Sequence, residues 1–301
     1  MGDAISNEGV MIMRKKNGTA GYLFFLPGFL FFAVFILYPL IRNFLYSFYD
    51  FRLTDLNHLE FIGLGNYRHV FQDHVFWISL KNIFIYGIIS VPGQMVLGFL
   101  VAYALYQNRP GTKTFRVLFF LPVITSWVVA SLIFKFVFTD QGYLNYFIMD
   151  VLHFTDKTIS WLSDPGKAMM VVSFLGIWKG VGWAMVIYMA ALQGVPKDQY
   201  EAASLDGCNA WQQIRHITLP SIRSTTFFIQ MMLIIGAFNV FTSIYLITDG
   251  GPLHQTEVML TRMYQKAFTE YDLGYASALS YVFAVIIAGL TFLQFRLNKQ
   301  E

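Results

Sequence analysis

Charge is what this sequence has least of. Asp, Glu, Lys and Arg make up 13% of its 301 residues, while 56% are hydrophobic and 18% aromatic. A soluble globular domain carries roughly twice that charge, so an ordinary soluble enzyme is excluded. Abundant aromatics and the lack of any low-complexity repeat exclude a disordered or fibrous chain. Cysteine is almost absent. Cys208 is the only one, which rules out a disulfide framework and a cysteine-ligated zinc or iron–sulfur site. With no base or metal ligand beside it, Cys208 reads as a bystander. A formal charge of +3 is too small to argue for nucleic acid. No phosphate-cradling G-x-x-x-x-G-K-[ST] stretch exists, and Gly166-Lys167 lacks both the preceding glycine and the following hydroxyl.

Long apolar runs are plentiful. A bilayer core about 30 Å thick needs roughly 20 apolar helical residues, and six runs qualify as spans: Gly21 to Ile41, Asn82 to Tyr106, Val117 to Phe134, Ala168 to Val195, Ser224 to Thr248 and Leu273 to Phe295. All are apolar all round, unlike the amphipathic helices of a soluble protein. Pro27, Pro39, Pro92 and Pro122 fall inside them, which membrane helices tolerate. Only the fourth contains a charge, Lys179, which on this reading must reach an aqueous cavity, a carboxylate or the outer interface. Lys135 is placed to snorkel. The N-terminal run is too long for a signal peptide and lacks a cleavage pattern, so it is expected to stay as a span.

Basic residues set the orientation. Arg14, Lys15 and Lys16, then Arg109, Lys113 and Arg116, then Lys197, Arg215 and Arg223, then Arg296 and Lys299 fall on one side, and the longer, more acidic loops on the other. The expected architecture is an all-α integral membrane protein with both termini cytoplasmic. It has a tail (1–20), a first span (21–41), an external loop (42–81), a five-helix core (82–295) with a cytoplasmic loop (193–223), and a second tail (296–301). Tyr67, Phe71, Phe76 and Trp77 suggest helices lying at the membrane interface in the first external loop.

A proton- or sodium-driven carrier would bury carboxylates or histidines in its spans. No acidic residue lies in a clean span, and all six histidines (58, 69, 74, 153, 216 and 254) are expected in loops, without metal-ligand spacing. An intramembrane enzyme would need a catalytic constellation at membrane depth. A secondary carrier and a membrane enzyme are therefore the alternatives that the residue pattern disfavours.

The loop from Gln193 to Arg223 is longer than a connector between neighbouring helices requires. Pro196 suits a first helical position and Gly207 the left-handed residue that ends a helix. Asn209 then caps a second helix, with Gln212 completing a capping box and Pro220 closing it. Ala202 and Ala203 permit close approach by a partner, and Glu201 offers a charge to a cation across the contact. Glu201-Ala202-Ala203, Gly207, Ile217 and Leu219-Pro220, at this spacing between two spans, resemble the EAA loop of binding-protein-dependent ABC importers. Phe61 to Tyr67 (FIGLGNY), Arg116 to Pro122 (RVLFFLP), Asp249 to Pro252 (DGGP) and Gly274 to Ala278 (GYASA) are similar to the carbohydrate-uptake permeases, in particular the maltose-type first subunit. This chain departs from that subunit in having six spans and no large inserted external domain.

The resemblance implies the type I importer permease fold in a bacterial or archaeal-type cell membrane. It implies a homologous second permease, two ATPase subunits holding ATP and Mg, an external sugar-binding protein and a sugar substrate. No cofactor, metal or catalytic residue is expected on this chain. A permeating sugar needs aromatic faces beside hydrogen-bonding groups. Gly180 and Trp183 in the fourth span, and Phe238, Asn239, Phe241 and Thr242 in the fifth, offer both, on helices from which the family builds its cavity.

Overall fold

A computed structural model describes residues 21–55, 59–107 and 110–299, with side chains to residue 296. The expected tail 1–20 with Arg14, Lys15 and Lys16, together with His58, Arg109 and the Lys299 side chain, lies outside the described residues. In chain order the main helices are α1 (Gly21–Tyr46), α2 (Gly65–Gln72), α3 (His74–Tyr106), α4 (Thr112–Ile124), α5 (Trp127–Phe138) and α6 (Pro165–Gln193). They continue as α7 (Lys197–Leu205), α8 (Ala210–Ser221), α9 (Arg223–Phe238), α10 (Thr242–Ile247), α11 (Met259–Tyr264) and α12 (Leu273–Lys299). A short antiparallel pair joins β1 (Tyr49–Asp50) to β2 (Glu60–Phe61). Among the described residues α1, α3, α6 and α12 are each long and apolar enough to cross a bilayer unbroken. His69, His74 and His216 sit in helical turns rather than loops.

The spine is the packing of α3 on α6, and glycines make it possible. A Cβ added to Gly98 would lie 2.6 Å from Ala184, one on Gly93 2.6 Å from Ile177, and one on Gly176 2.4 Å from the Tyr86 hydroxyl. Small residues on both helices let the backbones approach to where dispersion forces act, which is how helices associate without a hydrophobic drive between them. By contrast α1 is almost entirely exposed. It leans on α12 through its last turns, where Asn43 pairs with Ser277 and Ser280 and the Tyr281 hydroxyl donates to the Leu40 carbonyl. The helix widens over Ala33–Leu37, just before Pro39, which has no N–H to offer the Phe35 carbonyl. In the loop after α1, Phe71 and Trp77 are exposed while Phe76 is buried in the core.

Two expected spans are not continuous. The third bends by 95° between α4 and α5. Pro122 removes an N–H from the last turn of α4, Thr125 and Ser126 are extended, and the Ser126 hydroxyl caps α5 by accepting from Val128 N. The fifth run stops at Phe238, passes through Asn239–Phe241 and resumes as α10. Here the Asn239 side chain bonds back to the Ile235 carbonyl at 2.7 Å, and Phe241 leaves the helical region at φ −138°. Local side-chain bonding of this kind competes with the helix. Apolarity alone signalled neither break.

Lys179 has none of the surroundings anticipated for it. It is 4% exposed on α6. Its ammonium donates to the Pro122 carbonyl (2.8 Å), the Thr125 carbonyl (2.7 Å) and the Thr125 hydroxyl (3.2 Å). Three donors meet three acceptors, at the C-terminal end of a helix whose carbonyls carry partial negative charge.

Candidate functional site

The loop joining α6 to α9 folds much as its punctuation requires. Pro196 is the N-cap of α7 rather than its first helical residue. Gly207 adopts φ +78°. Gly207 N donates to Ser204 O at 3.2 Å and Cys208 N to Ala203 O at 2.9 Å, the paired bonds of a Schellman ending. Asn209 and Gln212 form the expected reciprocal cap at 2.9 and 2.7 Å. Pro220 does not end α8, which continues to Ser221 before a bend of 72° at Ile222.

These residues divide into two faces. Glu201, Ala202, Leu219 and Pro220 are exposed, as are two apolar side chains that pattern reading passed over, Leu205 at 90% and Trp211 at 69%. Ala203 is half-buried, and Ile217, like Tyr200, packs against the buried cluster that contains Leu192, Val195 and Ile222. The Tyr200 hydroxyl meets the Thr218 hydroxyl at 3.0 Å, and the Gln213 amide donates to the Ser204 hydroxyl at 3.0 Å. A helix pair fastened to the bundle through Tyr200, Ile217 and Thr218 thus offers an outer side with exposed apolar side chains and charges of both signs, Glu201 among them.

The second region surrounds the break after α9. Asn239 is exposed, while Phe241 and Thr242 are half-buried. Phe241 stacks on Tyr245 at 5.3 Å, and both rings meet Tyr264 of α11, at 5.4 and 5.2 Å; Tyr264 in turn touches Phe268 at 5.1 Å. Tyr245, Tyr264 and Phe268 escaped the sequence reading because α10 and α11 meet only in three dimensions. Phe238 turns inward instead, 5% exposed between the rings of Phe84 and Phe283. Gly180 faces the α3 seam, where an added Cβ would lie 1.7 Å from the Gln94 side-chain oxygen. Trp183 is half-buried in the cluster nearer the α7–α8 pair.

Buried polar contacts hold α11 in place. Asn82 of α3 donates to the carbonyls of Gln255 and Glu257 at 2.8 and 2.9 Å. Arg262 donates to Asp73 at 2.8 and 3.2 Å, and the Tyr275 hydroxyl donates to the same carboxylate oxygen at 2.6 Å. Burial alone would push the Asp73 carboxyl upward, yet the bonds from Tyr275, Arg262 and Val75 N hold it below the usual range. Glu257 is fully buried and pushed upward by that burial, against the pull of His254. Among the described residues no group of three or more metal-ligating side chains occurs.

Residues 94–300 match the family described as binding-protein-dependent transport system inner membrane component. The chain is 36% identical over 295 residues to "Probable ABC transporter permease protein YurN" of Bacillus subtilis (strain 168), covering 96% of this chain and all of that one. It is 32% identical over 295 residues to the lactose transport system permease protein LacF of Rhizobium radiobacter, covering 96% and 97%. In fold it resembles a chain in the crystal structure of a bacterial alginate ABC transporter in complex with an alginate pentasaccharide-bound periplasmic protein. That likeness has a TM-score of 0.81 at 21% identity and covers 95% and 96% of the two chains.

Proposed function

The chain belongs to the inner membrane components of binding-protein-dependent transport systems, and from that membership we infer that it is the permease of an ATP-driven importer for a sugar or oligosaccharide. The observation that carries the coupling part is the α7–α8 pair, stapled from within and showing Glu201, Ala202, Leu205 and Trp211 outward. That face suits an ATPase surface with an apolar groove and a cation for Glu201. ATP and Mg reside on two such ATPase subunits, and a homologous second permease completes the membrane part. The apolar, exposed length of α1 supports such a neighbour. An external binding protein delivers the sugar, and LacF, named for lactose transport, supports that substrate class.

Transport proceeds by alternating access. ATP closes the ATPase pair, the α7–α8 pair transmits the movement with Glu201, Ala202, Ala203 and Gly207 at the contact and Ile217, Leu219 and Pro220 at the bend, and the path opens outward. The cytoplasm lies on the side of the α7–α8 pair. The path runs past Trp183 and Gly180 to the break at Asn239, where an amide, the Thr242 hydroxyl and the Phe241–Tyr245–Tyr264 rings suit sugar hydroxyls and ring faces. Phe238 forms its wall from behind.

Purification from native membranes followed by mass spectrometry, with uptake of labelled mono- and oligosaccharides into proteoliposomes, tests this reading. An ATPase and a second permease should accompany the chain, and uptake should require ATP. Uptake driven by an ion gradient without ATP would contradict it.

A further inference from the structure

The elbow between α4 and α5 is held from outside the helices that form it. Inside a bilayer the carbonyls freed by a 95° bend have no water to turn to. The Thr125 hydroxyl satisfies one, donating to Pro122 O at 2.7 Å. Lys179 donates from α6 to that same carbonyl and to the Thr125 carbonyl, and its ammonium also lies 4.8 Å from the ring centre of Trp127, the first residue of α5. Packing alone leaves the elbow loosely held. A hollow of about 580 Å³ lies beneath it, lined by Leu97, Phe119, Pro122 and Trp178. On its other side α4 is fixed independently, because Gly182 sits so close that an added Cβ would lie 2.2 Å from the Phe119 carbonyl. Further along, Phe134 of α5 meets Phe174 and Trp178 of α6 at 6.0 and 5.7 Å, so what the lysine adds is a hold on the elbow itself and on the direction in which α5 leaves it. Beyond the elbow, α5 packs on α10, which carries Tyr245 of the aromatic cluster.

We propose that Lys179 is a positioning residue of the transport cycle: its ammonium clasps the α4–α5 elbow and so sets where α5 holds α10 and the aromatic wall of the path. Among the described residues the charge has no carboxylate partner; a helix C-terminus and a hydroxyl replace it. A neutral side chain of similar length fills the space and leaves the Thr125 carbonyl without this donor and the Pro122 carbonyl with only the Thr125 hydroxyl. An arginine retains charge and multiple donors.

The test uses the assembled complex, with Cys208 replaced by Ser and spin labels at exposed positions. One pair, Ile133 on α5 with Met170 on α6, reports the elbow; a second, Leu118 on α4 with Val186 on α6, reports the fixed side. Lys179→Met should broaden the first distance distribution and leave the second unchanged, and should lower binding-protein-stimulated ATPase activity several-fold. Lys179→Arg should restore both readouts. Thr125→Val, which removes one acceptor, should broaden the first pair to a smaller degree and serves if Lys179→Met fails to assemble. An unchanged first pair, equal broadening of both pairs, or failure of arginine to restore the distance would overturn the assignment. The ATPase arm rests on the import reading and the distances do not, so a complex that moves no sugar still decides the role of the elbow.

Discussion

Two membrane runs of this chain break, and they solve the same physical problem in opposite ways. Between α4 and α5 a cation from α6 caps the carbonyls of Pro122 and Thr125 from the inner side and is itself only 4% exposed, while Thr125 and Ser126 remain exposed on the outer side. Between α9 and α10, among the described residues, no comparable donor arrives from a neighbouring helix. Asn239 bonds to its own preceding turn and remains exposed beside a group of aromatic rings. Non-helical backbone at membrane depth is tolerated where protein buries it or where it lines an aqueous cavity. Lys179 brings the first break part of that cover from α6, while the second relies on its own preceding turn. One is a pivot, and on the import reading the other offers its polar groups to a passing solute.

The break flanked by the tight α4–α6 contact should be the more sensitive to volume. Gly182→Ala places a Cβ 2.2 Å from a backbone carbonyl of α4 and 2.9 Å from Val123. Overpacking of this kind costs about 1–3 kcal/mol. The expected result is a lower melting temperature and less recoverable complex, read by thermal shift and size-exclusion chromatography. A variant as stable as the parent would show that the α4–α6 contact yields freely and would blur the distinction between the two breaks.

Next in size comes the α7–α8 pair, far from either break. Around Gly207 there is open space within 4 Å, so Gly207→Val meets only backbone strain, roughly 1–2 kcal/mol for a left-handed residue. A β-branched side chain makes that conformation harder still. Transport-coupled ATP hydrolysis should fall while insertion in the membrane is retained. Normal uptake with normal ATPase association would remove this turn from the coupling contact.

Changes at the open break should be milder and should spare stability. Asn239→Ala and Phe241→Ala each remove one hydrogen-bonding or stacking partner from the solute, about 0.5–1.5 kcal/mol and so a several-fold loss of uptake. Paired measurement of uptake and melting temperature sharpens the contrast with Gly182→Ala. Trp183→Ala, nearer the α7–α8 pair, separates path from packing by the same two readouts. Loss of assembled protein in step with uptake would assign Trp183 to packing.

The smallest effect is electrostatic. The folded-state pKa of Asp73 is depressed, so its contribution to stability is present above the ordinary carboxylate value and is lost as the pH falls through the depressed one. The melting temperature of the complex should therefore decline at the acid end of that window, and Asp73→Asn should flatten the decline. An identical acid profile in the variant would show that Arg262 and Tyr275 hold α11 without the carboxylate.

Much of this molecule is legible in its sequence because local chemistry decides it. The ending at Gly207 and the cap at Asn209 and Gln212 follow from residues within a turn of one another, and the structure forms both. The spans follow from apolarity, which the bilayer imposes on every lipid-facing residue. The breaks were illegible for the same reason. A run such as Val117 to Phe134 is equally apolar whether straight or bent, and the bend depends on a lysine 57 residues from Pro122 in the chain. Tyr245 and Tyr264 likewise become neighbours only when α11 folds back under its anchors at Asn82 and Asp73. Phe238 illustrates the limit on the other side: its segment offers rings beside hydrogen-bonding groups, but only the fold shows that this ring, at the last residue of α9, is buried between Phe84 and Phe283.

The difference between the two breaks is tested most directly by thiol accessibility in the assembled complex. With Cys208 replaced by Ser, Asn239→Cys and Ser131→Cys, the latter at a fully buried position on α5 just beyond the elbow, are each treated with a membrane-impermeant maleimide, with the ATPases idle and with ATP–vanadate trapped. The cysteine at 239 is expected to react, at a rate that changes between the two states, while the cysteine at 131 stays unreactive in both. Reaction at 131 with protection at 239 would contradict the distinction.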